Sequence, residues 1–441
     1  MIDFLILYEH KAREYENVKL LKMVLENIGY SVKIEKTALL SYFRYLLPKN
    51  RPKVIVTYSL YNNASLVTLV LSVGWNIKKV VNLQWEQVFT YNPESIALHT
   101  PSENAVRGVH VCWGKECQER LKSHGVMNAV LTGAIPLDFA KPAFSLYFKS
   151  RAELEDEYSL QKGKMILYIS SFTQVGLQDK EIAVLRNKLG DDFIDNLKNG
   201  LKTRKITLEW MDVLLEMDPD CYVVYRPHPG ENLDDELNRR VKKGRFFVIR
   251  DYTVQQWIVA ADKIYTWISL SIVEAYFSNK MCYIIRPYPV EKNFDIQLYD
   301  GADVIDNIDK LKKSYIDDSF VFPIKSSMIN RYYNIDKEYS YMKIVNLLDK
   351  VYKTKEYDIK QYPFTLYIKA IIVIIIRMIK RVIIELHITS RTPIITKFRR
   401  LSKWLEFFYY YQNKESLEVV SEEEDAEIEQ RLEKVLERIE Q

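Results

Sequence analysis

Short apolar runs recur along the first two-thirds of the chain, separated by stretches whose apolar positions repeat at helical spacing. The runs fall at 2–8, 31–35, 53–57, 79–83, 107–113 and 128–131, then at 165–169, 221–226, 246–249, 264–267 and 281–286. They are rich in Val, Ile and Tyr and apolar at consecutive positions, the signature of strands buried on both faces. Helical patterns lie among them at 18–28, 64–74, 115–124, 206–217 and 253–260. This alternation predicts an α/β fold built from doubly wound parallel sheets. Residues 140–163 are charged and irregular and separate the two sets, so the pattern predicts one domain over 1–145 and a second over 146–355.

The last ninety residues have a different pattern. From Tyr367 to Ile388, Lys369, Arg377, Lys380, Arg381, Glu385 and His387 fall within one helical arc of about 160°, and the rest of the circumference is almost wholly Ile, Val, Leu and Met. The uncharged run Ala370–Ile376 is far shorter than the ~20 residues a bilayer crossing needs. A helix lying in a membrane interface fits better. Arg391, Lys397, Arg399, Arg400 and Lys403 follow, beside Phe398, Trp404, Phe407, Phe408 and Tyr409 to Tyr411, a mixture suited to an anionic leaflet. Residues 356–414 are thus expected to form a membrane-associating appendage, with residues 365–411 touching the inner face of the membrane. In the acidic segment 415–441, Ile428, Leu432, Val435 and Ile439 recur at heptad-like spacing, which predicts a weak self-association helix or a solvated tail.

Composition narrows the class. A chain of 441 residues with 48% hydrophobic content can bury a sizeable core. A net charge of +4, with no arginine-rich arm or zinc-finger spacing, argues against nucleic acid as a partner. Cys112, Cys117, Cys221 and Cys282 form no Cys-x-x-Cys pair and read as structural thiols in a reducing cytoplasm. The chain opens directly on a strand, with no basic leader or cleavage site, so no signal peptide is expected.

Candidate chemistry gathers where strands end. The run Tyr222-Val-Val-Tyr-Arg226 stops at Pro227-His228-Pro229, a rigid turn that removes two backbone donors. Such a turn at a strand's carboxyl end places an imidazole and a guanidinium where open α/β sheets bind ligands, and both suit a phosphate. Forty-one residues on, Thr266-Trp267-Ile268-Ser269-Leu270-Ser271 leads into a helix with Glu274 three residues after Ser271, as in a capping box. Backbone N–H groups and serine hydroxyls there suit phosphate or ribose. Glu274 either closes the capping box or accepts from vicinal sugar hydroxyls. Ser170 and Ser171 follow the strand 165–169 and either cap the next helix or contact phosphate.

These segments resemble the nucleotide-binding half of GT-B glycosyltransferases, in particular bacterial capsule and surface-carbohydrate enzymes with an Arg-Pro-His-Pro turn and a later Ser-x-x-Glu-Ala helix start. Similar His-Pro and Ser motifs mark CMP-sugar-dependent sialyl- and Kdo-transferases, and teichoic-acid glycerophosphotransferases. In the first half, Glu9-His10-Lys11-Ala-Arg13-Glu14 is similar to the family's charged loop after its first strand. Cys112-Trp113-Gly114 and Leu131-Thr-Gly133-Ala-Ile-Pro136-Leu-Asp138 are similar to its Trp-Gly and Thr-Gly-x-Pro-x-x-Asp segments.

The resemblance covers roughly residues 1–350 and implies two Rossmann-like domains facing a cleft, the second holding a nucleotide-sugar and the first an acceptor glycan or glycolipid. It implies donor contacts from Ser170, Ser171, Arg226, His228, Pro229, Ser269, Ser271 and Glu274. A general base is expected at Glu86, among amides and the Trp85 indole that could stack on a sugar, with Glu14 and Glu9 as rivals. No Asp-x-Asp pair stands at a strand end, so no metal and no cofactor beyond the donor is expected. Two other readings stand beside the glycosyltransferase: a CDP-polyol-dependent teichoic-type polyol-phosphate transferase, and a non-catalytic scaffold of a polysaccharide assembly complex. The expected location is cytoplasmic and peripheral on the inner membrane, with a homo-oligomer possible.

Overall fold

The computed structural model describes residues 2–39, 44–45, 47–74, 77–334, 336–389, 402–403, 405 and 419–441. Two compact units emerge, one of residues 1–87, 98–134 and 336–432, the other of 88–97, 135–335 and 433–441.

The first unit carries six parallel strands: β1 (Ile2–Tyr8), β2 (Val32–Lys36), β3 (Pro52–Thr57), β4 (Lys79–Asn82), β5 (Val109–Cys112) and β6 (Asn128–Leu131). Their order is β2-β1-β3-β4-β5-β6. Consecutive residues Phe4 to Leu7 and Val54 to Val56 are fully buried, so neither face of the sheet's centre meets water, as the unbroken apolar runs predict. The second unit has β7 (Lys164–Ile169), β8 (Cys221–Arg226), β9 (Phe246–Val248), β10 (Lys263–Thr266) and β11 (Cys282–Ile284), all parallel in the order β11-β10-β7-β8-β9. Leu208, Met211 and Leu214 of the helix Asp191–Met217 join Ile166, Tyr168, Val223 and Tyr225 in its core. Gly200 lets this helix approach the sheet: a Cβ there would lie 2.9 Å from the Trp267 ring. The four cysteines are buried free thiols.

Several helices differ from the sequence pattern. The helix expected over 206–217 begins at Asp191, because Gly200 is retained for packing rather than for a turn. Lys11–Asn27 is helical from its first charged residue, so Lys11, Arg13 and Glu14 sit on a helix and not in a loop. Within the supposed linker, Arg151–Glu157 is a helix closed by a Ser150–Glu153 capping box. Ser340–Lys353 was expected in the second domain, but it packs against the helix Lys11–Asn27 and strands β3 and β4 of the first unit.

The C-terminal helices also join the first unit. Phe364–Glu385 buries Leu366, Ala370 and Ile374 and packs along Val67–Leu71. The polar arc of this helix, not the apolar one, turns toward the protein: Arg377 Nη1 donates to Thr68 O at 3.2 Å, and burial lowers its pKa to about 10. Ile368, Ile372, Ile375, Ile376, Ile379, Val382 and Leu386 remain exposed. Among the described residues no helix is long and apolar enough to cross a membrane. Arg391, Lys397, Phe398, Arg399, Arg400, Trp404, Phe407, Phe408 and Tyr409 to Tyr411 lie outside the described residues.

The acidic segment is not a solvated tail. In the helix Glu422–Glu440, Glu424 pairs with Lys11 at 2.6 Å, and Asp425 and Glu429 pair with Lys19 at 2.8 and 2.6 Å. Its heptad-like Ile428 and Leu432 are buried within this chain, so they are not offered to a second copy.

Candidate functional site

The sheet order of the second unit sets β10, β7 and β8 side by side, and the pairing aligns Thr266 with Ile169 and Ile169 with Arg226. The three strands therefore end in one row. The segments that follow them carry Ser269 and Ser271, Ser170 and Ser171, and Arg226, His228 and Pro229. At the usual strand spacing the outer two ends lie about 10 Å apart. All these candidates thus meet at the carboxyl edge of one sheet, where open α/β folds bind ligands.

The His-Pro turn is locked from beneath by a residue whose role has no sequence signature. Glu231 is buried and takes hydrogen bonds from Tyr225 OH at 2.6 Å, Ser170 Oγ at 2.5 Å and the His228 backbone N–H at 3.3 Å. Arg204 lies 3.4 Å from it and also pairs with Asp234 at 2.9 Å. Arg250 donates to the Glu231 carbonyl. A buried carboxylate satisfied this fully holds the turn rigid. His228 itself is exposed. Its Nδ1 accepts from the Gly230 N–H at 3.0 Å, which leaves the proton of the neutral ring on Nε2.

Two expected donor contacts change role. The Ser170 hydroxyl donates to Glu231 and lies 2.9 Å from the Tyr225 hydroxyl, so it supports the turn. The Arg226 guanidinium donates to the carbonyls of Asp251 and Tyr252, tying β8 to the 251–252 loop, so it contributes charge rather than an open bidentate fork. Ser171 Oγ accepts from the Ile268 N–H at 3.3 Å and ties the β7 end to the β10 end.

The capping box is not formed. The helix Ser271–Phe277 has Leu270 as its N-cap with no side-chain cap bond, and Ser269 Oγ accepts from the Ser271 N–H at 3.3 Å. Glu274 is only partly buried as a residue, yet its Oε2 is shut from water and has no hydrogen-bond partner. Burial pushes its pKa up to about 8, against smaller lowering by the Ser271 hydroxyl and the Arg226 charge. The folded protein therefore holds a proton here that the unfolded chain, with a value near 4.5, has lost. Stability from this group falls as pH rises through that window. Glu274→Gln is expected to flatten the decline of melting temperature between pH 5 and pH 8; an unchanged slope would assign the shift elsewhere.

In the first unit, one arginine gathers both expected bases. Arg13 Nη2 donates to Glu14 at 2.7 Å and Nη1 to Glu86 at 3.1 Å. Glu14 has no exposed side-chain surface and also accepts from the Glu9 N–H at 2.7 Å, so it is an anchor for the helix start and not a base. Glu86 is accessible and meets His99 Nε2 at 2.7 Å. The His99 hydrogen bond, then Arg13, outweigh burial and bring its pKa down to about 2. His99 was not a candidate from sequence, since nothing links it to a glutamate thirteen positions earlier. Trp85 is buried and cannot stack on a sugar. Its neighbour Gln87 bridges strand ends, donating to Val111 O at 2.9 Å and accepting from the Trp113 N–H at 2.7 Å.

No family model matches the chain, and no curated protein matches it. Among solved structures, a variant of the wall teichoic acid polymerase TagF shares 12% identity, covering 80% of this chain and 89% of its own, with a TM-score of 0.51. A UDP-N-acetylglucosamine 2-epimerase shares 11%, covering 82% and 99%, at 0.50. The UDP-GlcNAc 2-epimerase of Methanocaldococcus jannaschii shares 11%, covering 79% and 99%, at 0.50. These likenesses show the fold: two Rossmann-like parallel-sheet domains of the GT-B type.

Proposed function

We propose that the protein is a metal-independent glycosyltransferase that moves a sugar from a nucleotide-activated donor, CMP-linked by its His-Pro and Ser segments, to a surface polysaccharide or glycolipid. The observation that carries this reading is the single row of strand ends bearing the Arg226–His228 turn, Ser171, Ser269 and Ser271. His228 Nε2–H and the Arg226 charge stabilise the negative charge that grows on the leaving phosphate. Pro229 keeps the turn rigid, and Ser269, Ser271 and Glu274 border the nucleotide.

Glu86 is the proposed proton acceptor, acting with His99. A carboxylate held near 2 is a weak base by itself, but it acts through the neutral His99 imidazole, orienting the ring and stabilising the charge that the ring gains on taking the acceptor's proton. Glu86→Gln is expected to leave nucleotide affinity intact while transfer falls ~100-fold or more. Glu14→Gln is expected to lower melting temperature first. Wild-type transfer in Glu86→Gln would move the base elsewhere.

A second reading, transfer of a polyol phosphate from a CDP-polyol, is favoured by the likeness to TagF. Titrating the protein with CMP, CDP, UDP and GDP by calorimetry, then offering the matching sugar and polyol donors, separates the two. Binding of none of the four would leave the scaffold reading.

We place the protein on the membrane surface through the helix Phe364–Glu385. The support is its exposed apolar arc, from Ile368 to Leu386, on the side away from the packed face. Burial of isoleucine in the acyl boundary is favourable at ~25 cal/mol per Å2. Salt-sensitive co-sedimentation with anionic liposomes tests this placement.

A further inference from the structure

A cavity of about 620 Å3 opens in the first unit, at the start of the Phe364–Glu385 helix. Its wall combines Ile77 and Lys78, which lead into β4, with the segment from Asp358 to Tyr367. Its volume lies within the roughly 300–1,000 Å3 of small-molecule sites. Lys78 and Lys360 are exposed, and neither pairs with a carboxylate among the described residues. The one acid of the wall, Asp358, stands 3.7 Å from Lys79, and its Oδ1 is buried without a hydrogen-bond partner.

Tyr362 is the less ordinary wall residue. It is 4% exposed, and its hydroxyl is shut from water without a hydrogen-bond partner. An unsatisfied buried hydroxyl is unfavourable, and an incoming acceptor oxygen would satisfy it. Arg107 fixes this wall from behind: Nη2 donates to Lys360 O at 2.6 Å, and its guanidinium carbon stands 5.1 Å from the Tyr362 ring centre. The cavity thus offers two cations, Lys78 and Lys360, and one hydroxyl donor to an anion. Its other side is apolar, with Ile77, Tyr367 and the 77% exposed Phe364. Beyond Phe364 the exposed apolar arc of the helix begins.

We propose that this cavity receives the phosphodiester headgroup of an anionic phospholipid. Lys78, Lys360 and the Tyr362 hydroxyl take the phosphate oxygens, and Phe364 and Tyr367 cover the first acyl methylenes. The inference rests on the membrane placement of the helix, and it adds a headgroup-selective site to an otherwise nonselective apolar face. A free phosphate shares the headgroup's chemistry but does not use the apolar wall.

The test uses the full chain and monodisperse dioctanoyl phosphatidylglycerol, whose binding does not depend on insertion of the helix. Wild type is expected to bind it, and K78A/K360A to lose at least tenfold in affinity with an unchanged melting temperature, because both lysines are exposed. Tyr362→Phe is expected to weaken binding several-fold. Equal affinity in wild type and K78A/K360A would overturn the site. Displacement of the lipid by glycerol 3-phosphate or inorganic phosphate at equal concentration would overturn the lipid assignment. With vesicles, I372E/I375E should abolish binding to both phosphatidylglycerol and phosphatidylcholine, whereas K78A/K360A should reduce only the former. Failure of the membrane placement therefore appears in the first variant, and failure of the site in the second.

Discussion

His228→Ala is expected to abolish transfer, by at least ~100-fold in kcat, without unfolding the protein. Removing one preorganised donor from a developing oxyanion typically costs ~10²–10³ in rate, and the leaving phosphate of a nucleotide-sugar presents such a charge. The fold should tolerate the change. The imidazole is exposed, and its Nδ1 accepts from the Gly230 N–H at 3.0 Å. The turn is held instead by Glu231, through Tyr225, Ser170 and the His228 backbone. Two measurements separate chemistry from scaffolding. Melting temperature should stay within a few degrees of wild type, and nucleotide affinity should fall much less than kcat. Glu231→Gln should behave differently, lowering melting temperature and kcat together, because it loosens the turn and leaves Arg204 with fewer partners. Full transfer activity in His228→Ala would remove the His-Pro turn from the chemistry.

The strands were the most legible part of this chain, and the reason is chemical. β8 ends at Arg226 because Pro227 cannot extend it, and the buried centres of β1, β3 and β7 are apolar without interruption. The carboxyl-edge row was legible for the same reason, since each candidate follows directly on such a run. The partners that complete the sites were not. Glu231 stood in plain view three residues after His228, but its contacts with Ser170 and Arg204 span sequence separations of 61 and 27 that no local pattern encodes. His99 is likewise joined to Glu86 only by the fold.

Charge was the most misleading signal. Lys19 carries a charge, yet its side chain is 3% exposed. Glu14 reads as a reactive carboxylate in a loop, yet it is buried against Arg13. In the helix Phe364–Glu385 the two arcs were separable from sequence, but the arc that packs on the protein is the charged one. Arg377 reaches a backbone carbonyl, and the isoleucines are left outside.

A chain ending at residue 418 should lose several kcal/mol of stability and aggregate at moderate temperature, although nothing in its proposed donor site has been removed. The deleted helix supplies both carboxylates that neutralise Lys19, an ammonium almost wholly out of water. It also supplies the buried Ile428 and Leu432, each worth ~1.5–3 kcal/mol of burial. Stranding a buried charge costs ~3–5 kcal/mol, less here because Asp425 and Glu429 are themselves more than a third exposed and screened by solvent. Against a total stability of ~5–15 kcal/mol, the combined loss is severe. The pairing also has a defined pH range. The hydrogen bonds that Lys19 donates to Asp425 and Glu429 raise its pKa despite opposing burial, and Lys19 and Tyr15 lower that of Asp425 despite burial. The raised lysine loses its contribution only as pH climbs through its folded value, and the lowered aspartate only as pH falls below the carboxylate range, so both are present at neutrality. Asp425→Asn with Glu429→Gln isolates the charge effect: melting temperature should drop, and adding Lys19→Met should recover part of it by removing the stranded cation. Unchanged melting of both the shortened chain and the double variant would show that the acidic helix contributes nothing to the first unit.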